Sequence, residues 1–132
     1  MLSEAERLAI YRDYLHAFNT KSLEGIKSHL SPRCTAIWAG GSNTYEQMLP
    51  TYPAHWERSP NGVELLEIKA IDNNGVWTML RDGDGGMDIE VDYFFDEEGL
   101  MILHDIKGVT YLEKKGEKGD VKKEEKDEEG KK

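Results

Sequence analysis

A single cysteine, Cys34, excludes an intrachain disulfide and fits a reducing compartment. No run approaches the roughly 18 apolar residues that a membrane span requires. The acidic start Met1-Leu2-Ser3-Glu4-Ala5-Glu6 lacks the apolar core of a secretory signal. A cytoplasmic location is therefore expected. Between Asp82 and Asp105 there are nine acids and no lysine or arginine, a stretch that would repel a nucleic acid or an anionic membrane, so neither is expected as a partner. There is no internal repeat, no His/Cys metal spacing and no glycine-rich phosphate loop after a strand. No metal and no cofactor are expected.

What is present suffices for one domain. A chain of 132 residues buries about two-thirds of its unfolded surface without staples. The net charge of −9 belongs entirely to residues 1–112, because residues 113–132 hold eight lysines and eight acids. That tail has almost no apolar surface to offset its ordering entropy, so it is predicted to be disordered, leaving a folded domain over 1–112.

Ser3-Glu4-Ala5-Glu6 has the pattern of a capping box and opens a helix whose Leu8, Tyr11, Tyr14, Leu15 and Phe18 share one face. A second, short helix over Leu23, Ile26 and Leu30 is predicted to stop at Ser31-Pro32. Arg33–Trp38 reads as a strand with Cys34, Ala36 and Trp38 on one side, and Gly40–Asn43 as a turn. Thr44–Arg58 reads as a third helix that Pro50 and Pro53 kink or split. Val63–Tyr111 then holds four strand-like runs joined at Asp72–Gly75, Asp82–Gly86 and Asp96–Gly99, turns rich in residues that tolerate positive φ. This is an antiparallel meander. The middle turn, Asp82-Gly83-Asp84-Gly85-Gly86-Met87-Asp88, lacks the register and the final Glu of a calcium loop and is read as a hairpin.

The register of the last hairpin sets which side chains face inward. Pairing Asp96 with Gly99 puts Val91 opposite His104 and Tyr93 opposite Ile102. Met87, Ile89, Val91, Tyr93 and Phe95 then share an apolar face with Leu100, Ile102, His104 and Ile106. Asp88, Glu90 and Asp92 fall on the other face, with an Asp88–Lys107 pair. A one-residue bulge at Gly99 would instead turn Asp105 inward and His104 outward.

The order of elements, with Tyr14-Leu15-x-Ala17-Phe18-Asn19 running into Ser22-Leu23-Glu24-Gly25-Ile26, then Leu30-Ser31-Pro32 and Phe95-Asp96-Glu97-Glu98-Gly99, resembles the nuclear transport factor 2-like superfamily. Its SnoaL-like polyketide cyclases, scytalone dehydratase and ketosteroid isomerase share one cone. The resemblance covers roughly residues 5–111. It implies an α+β fold, a cone-shaped curved antiparallel sheet with three N-terminal helices covering its concave face, and an apolar pocket between them. It also implies a homodimer through the convex face of the sheet, which the row Asp88, Glu90, Asp92 would oppose by like-charge repulsion. Matched to ketosteroid isomerase, Tyr14 falls on the oxyanion-hole tyrosine and His104 on a pocket-lining position. Trp38 and Val91 replace that family's two catalytic carboxylates, and Asp92 is one residue off. An isomerase mechanism of that kind is thereby disfavoured.

The candidate chemistry follows. His104, on an apolar face, could move a proton as acid or base; otherwise it is a buried histidine bonded to Tyr93 or a backbone carbonyl. Tyr14 could donate a hydrogen bond to a substrate oxygen; otherwise it is a core tyrosine. Phe18, Trp38, Trp77, Val91, Tyr93, Ile102 and Ile106 are expected to line the pocket, with His55 at its mouth, though each aromatic could equally be simple core. His16 and His29 look exposed, and Cys34 reads as core. The expected occupant is an apolar small molecule, processed by dehydration, isomerisation or cyclisation. The alternative is a non-catalytic module that binds a ligand or a protein.

Overall fold

The computed structural model describes residues 1–112; the charged tail lies outside the described residues. The chain runs α1 (Glu4–Asn19), α2 (Leu23–Lys27), β1 (Leu30–Trp38), β2 (Gly41–Asn43), α3 (Tyr45–Met48), α4 (Thr51–Arg58), β3 (Glu64–Ile71), β4 (Gly75–Asp82), β5 (Met87–Phe95) and β6 (Met101–Tyr111). The strands form one six-stranded sheet in the order β2-β1-β6-β5-β4-β3. All neighbours are antiparallel except β1 and β6, which are parallel. The sheet is therefore mixed where sequence predicted antiparallel, because the helical N-terminal segment returns β1 alongside the last strand.

Local sequence accounts for most boundaries. Ser3 Oγ accepts from the Glu6 amide and the Glu6 carboxylate accepts from the Ser3 amide, closing the predicted capping box. Arg7, Tyr11, Tyr14, Ala17 and Phe18 form the buried stripe of α1. The predicted third helix is two: α3 ends before Pro50, and Pro53 sits in the first turn of α4, where a missing amide costs little. α2 ends at Lys27 rather than at Ser31-Pro32. Leu30 pairs with Met101, and the Met101 amide donates to the His29 carbonyl at 2.8 Å, so sheet pairing overrides the helical spacing of Leu30. Gly41–Asn43, read as a turn, forms the short edge strand β2.

Three of the four strand pairings in the meander and its closure carry irregularities, at Leu65/Glu67, at Glu90/Val91 with Phe94/Phe95, and at Leu30/Thr35. One extra residue bends a strand and raises its twist, which curls a sheet. The β5–β6 register departs from expectation at its start. Phe95 pairs with Met101 and Phe94 with Leu103, leaving Ile102 as a bulge, and Tyr93 lies opposite His104 and Val91 opposite Ile106. The turn and the bulge each add one residue. Their sum is even, so His104 and Ile106 still face inward, while Met101 takes the inward place expected of Ile102.

Trp77 also lies elsewhere than expected. It is on the convex face, where Nε1 donates to Glu90 Oε2 at 2.7 Å and Lys69 Nζ stands 5.0 Å above the ring. Strand parity explains this: from Val76 onward the buried positions of β4 alternate, at Val76, Thr78, Leu80 and Asp82. The expected Asp88–Lys107 pair is absent. Asp88 is held in a two-pronged pair by Arg81 at 2.7 and 3.0 Å, and Lys107 lies 3.2 Å from Asp105 and 3.8 Å from Asp92. The acidic row thus has cations interleaved with it, which weakens the expected repulsion.

Asn74 joins the two ends of the meander. Asn73 and Asn74 adopt φ of 65° and 60° in the β3–β4 turn, a conformation asparagine tolerates. Asn74 Nδ2 donates to the carbonyls of Phe95 and Asp96 at 3.0 and 3.2 Å, and its Oδ1 accepts from the Leu2 amide at 3.2 Å. Asn74→Ala is expected to cost about 2–3 kcal/mol, because buried carbonyls lose their donor. Asn74→Gly, which removes the backbone strain, is expected to recover only part of that loss in urea unfolding.

Candidate functional site

The helices leave part of the concave face uncovered, and a cavity of about 300 Å³ opens there. Its inner end is built by α1 and the centre of the sheet. Tyr11, Tyr14, Tyr93 and His104 are all at most 6 % exposed, and their rings lie 4.7–5.9 Å apart in tilted or edge-on pairs. Each ring contributes on the order of 2 kcal/mol of apolar transfer. The outer end comes from the more exposed Trp38, Asn43, Thr51 and His55. Between them Phe18 stacks edge-on against Tyr52 and His55, at 6.0 and 5.1 Å.

The cavity's polar groups are few and uncharged. Tyr14 and Tyr52 share a hydrogen bond of 2.9 Å in which either hydroxyl can be the donor. Burial pushes both phenols up, so they stay protonated, and it raises Tyr93 to about 12. His104 Nε2 has no hydrogen-bond partner among the described residues. Burial pushes His104 down to about 3, so its ring is neutral throughout the physiological range. The bond to Tyr93 or a backbone carbonyl that a merely structural histidine would be expected to make is missing at Nε2.

Of the sequence candidates, Tyr14, Phe18, Trp38, His55, Val91, Tyr93, His104 and Ile106 all line this cavity. Trp77 and Ile102 do not, the first by strand parity and the second because of the bulge. His16 is exposed, His29 is half-buried and Cys34 is core. Burial pushes the Cys34 thiol up to about 12, which leaves it unreactive.

Sequence reasoning missed, among others, the cavity walls Tyr11 and Tyr52 and, behind the cavity, Asp82. Tyr11 and Tyr52 were visible as apolar positions of helices, but nothing marked them as cavity walls. Asp82 was read as the first residue of a turn. It is instead 2 % exposed, accepting from Ser59 Oγ at 2.8 Å and from the Gly85 amide at 2.9 Å. His55 Nε2 lies 3.3 Å from Asp82 Oδ2, close but outside hydrogen-bond alignment. Burial lowers the His55 pKa, Asp82 opposes that shift, and Arg58 adds to it.

No family model matches the sequence, and no curated protein matches it. Solved structures do. A SnoaL-like protein of unknown function from Burkholderia thailandensis superposes with a TM-score of 0.70 at 15 % identity, covering 86 % of this chain and 100 % of that one. The fold is the nuclear transport factor 2-like cone. AclR, a hydroxylase candidate from Streptomyces galilaeus, is similar over 83 % of this chain and 81 % of its own, with a TM-score of 0.69 and 18 % identity. An LEH-like epoxide hydrolase from Mycobacterium tuberculosis is similar over 79 % and 83 %, with a TM-score of 0.59 and 16 % identity. Such identities tie the chain to the cone and carry no activity with them. Among the described residues, no group of three or more His, Cys, Asp or Glu is placed to hold a metal, and no helix is long and apolar enough to cross a membrane.

The buried imidazole couples stability to pH. Its folded pKa, about 3, lies below the ordinary 6.5, so the unfolded chain binds the extra proton. Stability is full above the unfolded value and falls as pH drops towards the folded one. Between those limits His104 contributes a slope of about 1.4 kcal/mol per pH unit. His104→Leu is expected to flatten urea-derived stability against pH by that amount. His55, lowered in the same direction, supplies a smaller remainder.

Proposed function

We propose that this cone binds an apolar small molecule and acts on it by acid/base chemistry of the dehydration, isomerisation or cyclisation kind. The observation that carries the reading is an aromatic-walled cavity lined by His104, whose Nε2 is buried without a partner among the described residues. Buried polar atoms in native proteins are nearly always satisfied, and a ligand oxygen in the cavity would satisfy this one. The volume of about 300 Å³ falls at the lower end of the range for small-molecule sites, roughly 300–1,000 Å³.

The chemistry assigned to each residue follows from its protonation. A histidine held near 3 is a weak proton acceptor, since a useful base titrates near the working pH. His104 therefore acts as a neutral hydrogen-bond donor to a substrate oxygen. Tyr14 does the same, and its hydroxyl is a stronger donor when it accepts from Tyr52 at 2.9 Å. Together they stabilise negative charge developing on that oxygen.

A second reading, a non-catalytic binding module, has one observation in its favour: among the described residues, no carboxylate lines the cavity. Native mass spectrometry for a co-purifying molecule, before and after incubation, separates release of an altered product from simple retention. Dimerisation through the convex face is checked by sedimentation at low and high salt.

Binding is tested with 2-naphthol, flat and apolar with one oxygen, followed by quenching of tryptophan fluorescence. Saturable binding is expected. Tyr14→Phe is expected to weaken it about 5–10-fold, the loss of one hydrogen bond worth about 1 kcal/mol. Absence of saturable binding to the unaltered protein would remove the pocket reading.

A further inference from the structure

His55 and Asp82 come from elements distant in sequence, the last turn of α4 and the end of β4, and meet behind the outer wall of the cavity, which His55 lines. Asp82 is the one carboxylate among the described residues that is buried. An isolated carboxylate at such a depth is expensive unless it is paired and hydrogen-bonded. Its surroundings are built for it. Oδ1 accepts from the Gly85 amide, Oδ2 accepts from Ser59 Oγ, and Oδ2 also faces His55 Nε2 at 3.3 Å. Gly85 admits this arrangement, because a Cβ there would stand 2.8 Å from Oδ2. The His55 side chain is 23 % exposed and lines the cavity, whereas Asp82 is 3 % exposed and does not. The carboxylate is thus placed behind the imidazole, away from anything the cavity holds.

We propose that His55 and Asp82 form an acid–base dyad: His55 is the catalytic residue that takes a proton from a flat apolar substrate in the cavity, and Asp82 is the positioning residue behind it. This rests on the pocket reading above and supplies the proton acceptor that His104 does not. With Nε2–H turned to Asp82, the lone pair of the neutral ring is on Nδ1, which is the atom that accepts the proton. Asp82 fixes that tautomer and stabilises the imidazolium formed, as carboxylates do behind catalytic histidines. The 3.3 Å contact shortens and aligns as positive charge develops on the ring. The charged groups facing His55 are Asp82, which favours the charged ring, and Arg58 of its own helix, which opposes it; from α1 it meets the neutral Phe18 ring.

The test uses 5-nitrobenzisoxazole, a flat apolar molecule that any correctly placed base converts. His55 Nδ1 takes the C3 proton, the C–H electron pair becomes the second π bond of a nitrile, and the N–O bond breaks. The oxygen leaves as the phenolate of 2-cyano-4-nitrophenol. Atoms and electrons balance with no co-reactant, and the imidazolium returns its proton to water. The full chain is expected to accelerate this elimination above imidazole in solution, with a rate that rises with pH through an inflection below the ordinary histidine value. His55→Gln is expected to lower the rate at least about 100-fold while the protein still unfolds cooperatively in urea. Asp82→Asn is expected to move the inflection down by about 1 pH unit, which loss of a purely structural contact would not do. Should Asp82→Asn fail to fold, Ser59→Ala relieves Oδ2 of its other hydrogen bond and is expected to move the inflection up. Full activity in His55→Gln, an inflection unmoved by the folded variant at Asp82 or Ser59, or binding of 2-naphthol without acceleration would each overturn the dyad and leave the pocket standing. No binding of 2-naphthol at all would remove both.

Discussion

Everything at the site depends on the pairing of β5 with β6. A sheet strand offers only two directions for a side chain, so each single-residue shift in register exchanges inside for outside. Here the turn after Asp96 adds one residue and the bulge at Ile102 adds another. Two exchanges cancel, and His104 reaches the concave face opposite Tyr93. The next irregularity, between Glu90 and Val91, leaves Lys107 beside Asp92 and Asp105 on the convex face. The same irregularities bend the strands. Inward histidine and concave sheet are two consequences of one set of bulges.

The turns that hold this register are fastened to each other. Asn74 bonds the carbonyls of Phe95 and Asp96, and Asp96 Oδ1 accepts from the amides of Glu98 and Leu100, each at 2.9 Å. Gly99 closes the turn at a φ of 90°, where a side chain would also press on Ile10 of α1. At the opposite end Asn19 exchanges two 2.9 Å hydrogen bonds with the backbone of Val63. The long helix is thereby laid across the sheet between two clamps, and its Tyr11, Tyr14 and Phe18 face the cavity.

Polarity is sorted by strand face. On the convex side, charges are exposed or half-buried and neutralise one another in water, where such pairs contribute little stability each. On the concave side, burial keeps tyrosines protonated and His104 neutral. At the rim sits the Asp82 side chain, and there three polar contacts surround it. The two histidines of the cavity therefore differ in what they can do: one has burial alone acting on it, the other has burial opposed by a carboxylate.

Local chemistry was legible in the chain: the Ser3/Glu6 cap, the break at Pro50, the positive-φ residues of the turns and the alternation along β5 are each decided by a few neighbouring residues. Together with the resemblance to the nuclear transport factor 2-like superfamily, these led to the α+β cone and the inward set of Tyr14, Phe18, Trp38, Val91, Tyr93, His104 and Ile106. What pairs across long sequence distance was not legible. The parallel docking of β1 on β6 drew Leu30 out of its helix, parity put Trp77 on the outside, and a bulge displaced Ile102. Asp82 illustrates the reason. In sequence it is one acid among nine before a glycine-rich turn, and only the packing of α4 over the end of β4 removes its water and sets it behind His55. The sequence by itself determined which segments could be helix, strand or turn; tertiary structure decided which polar groups lost solvent, because burial depends on partners that the chain meets only when folded.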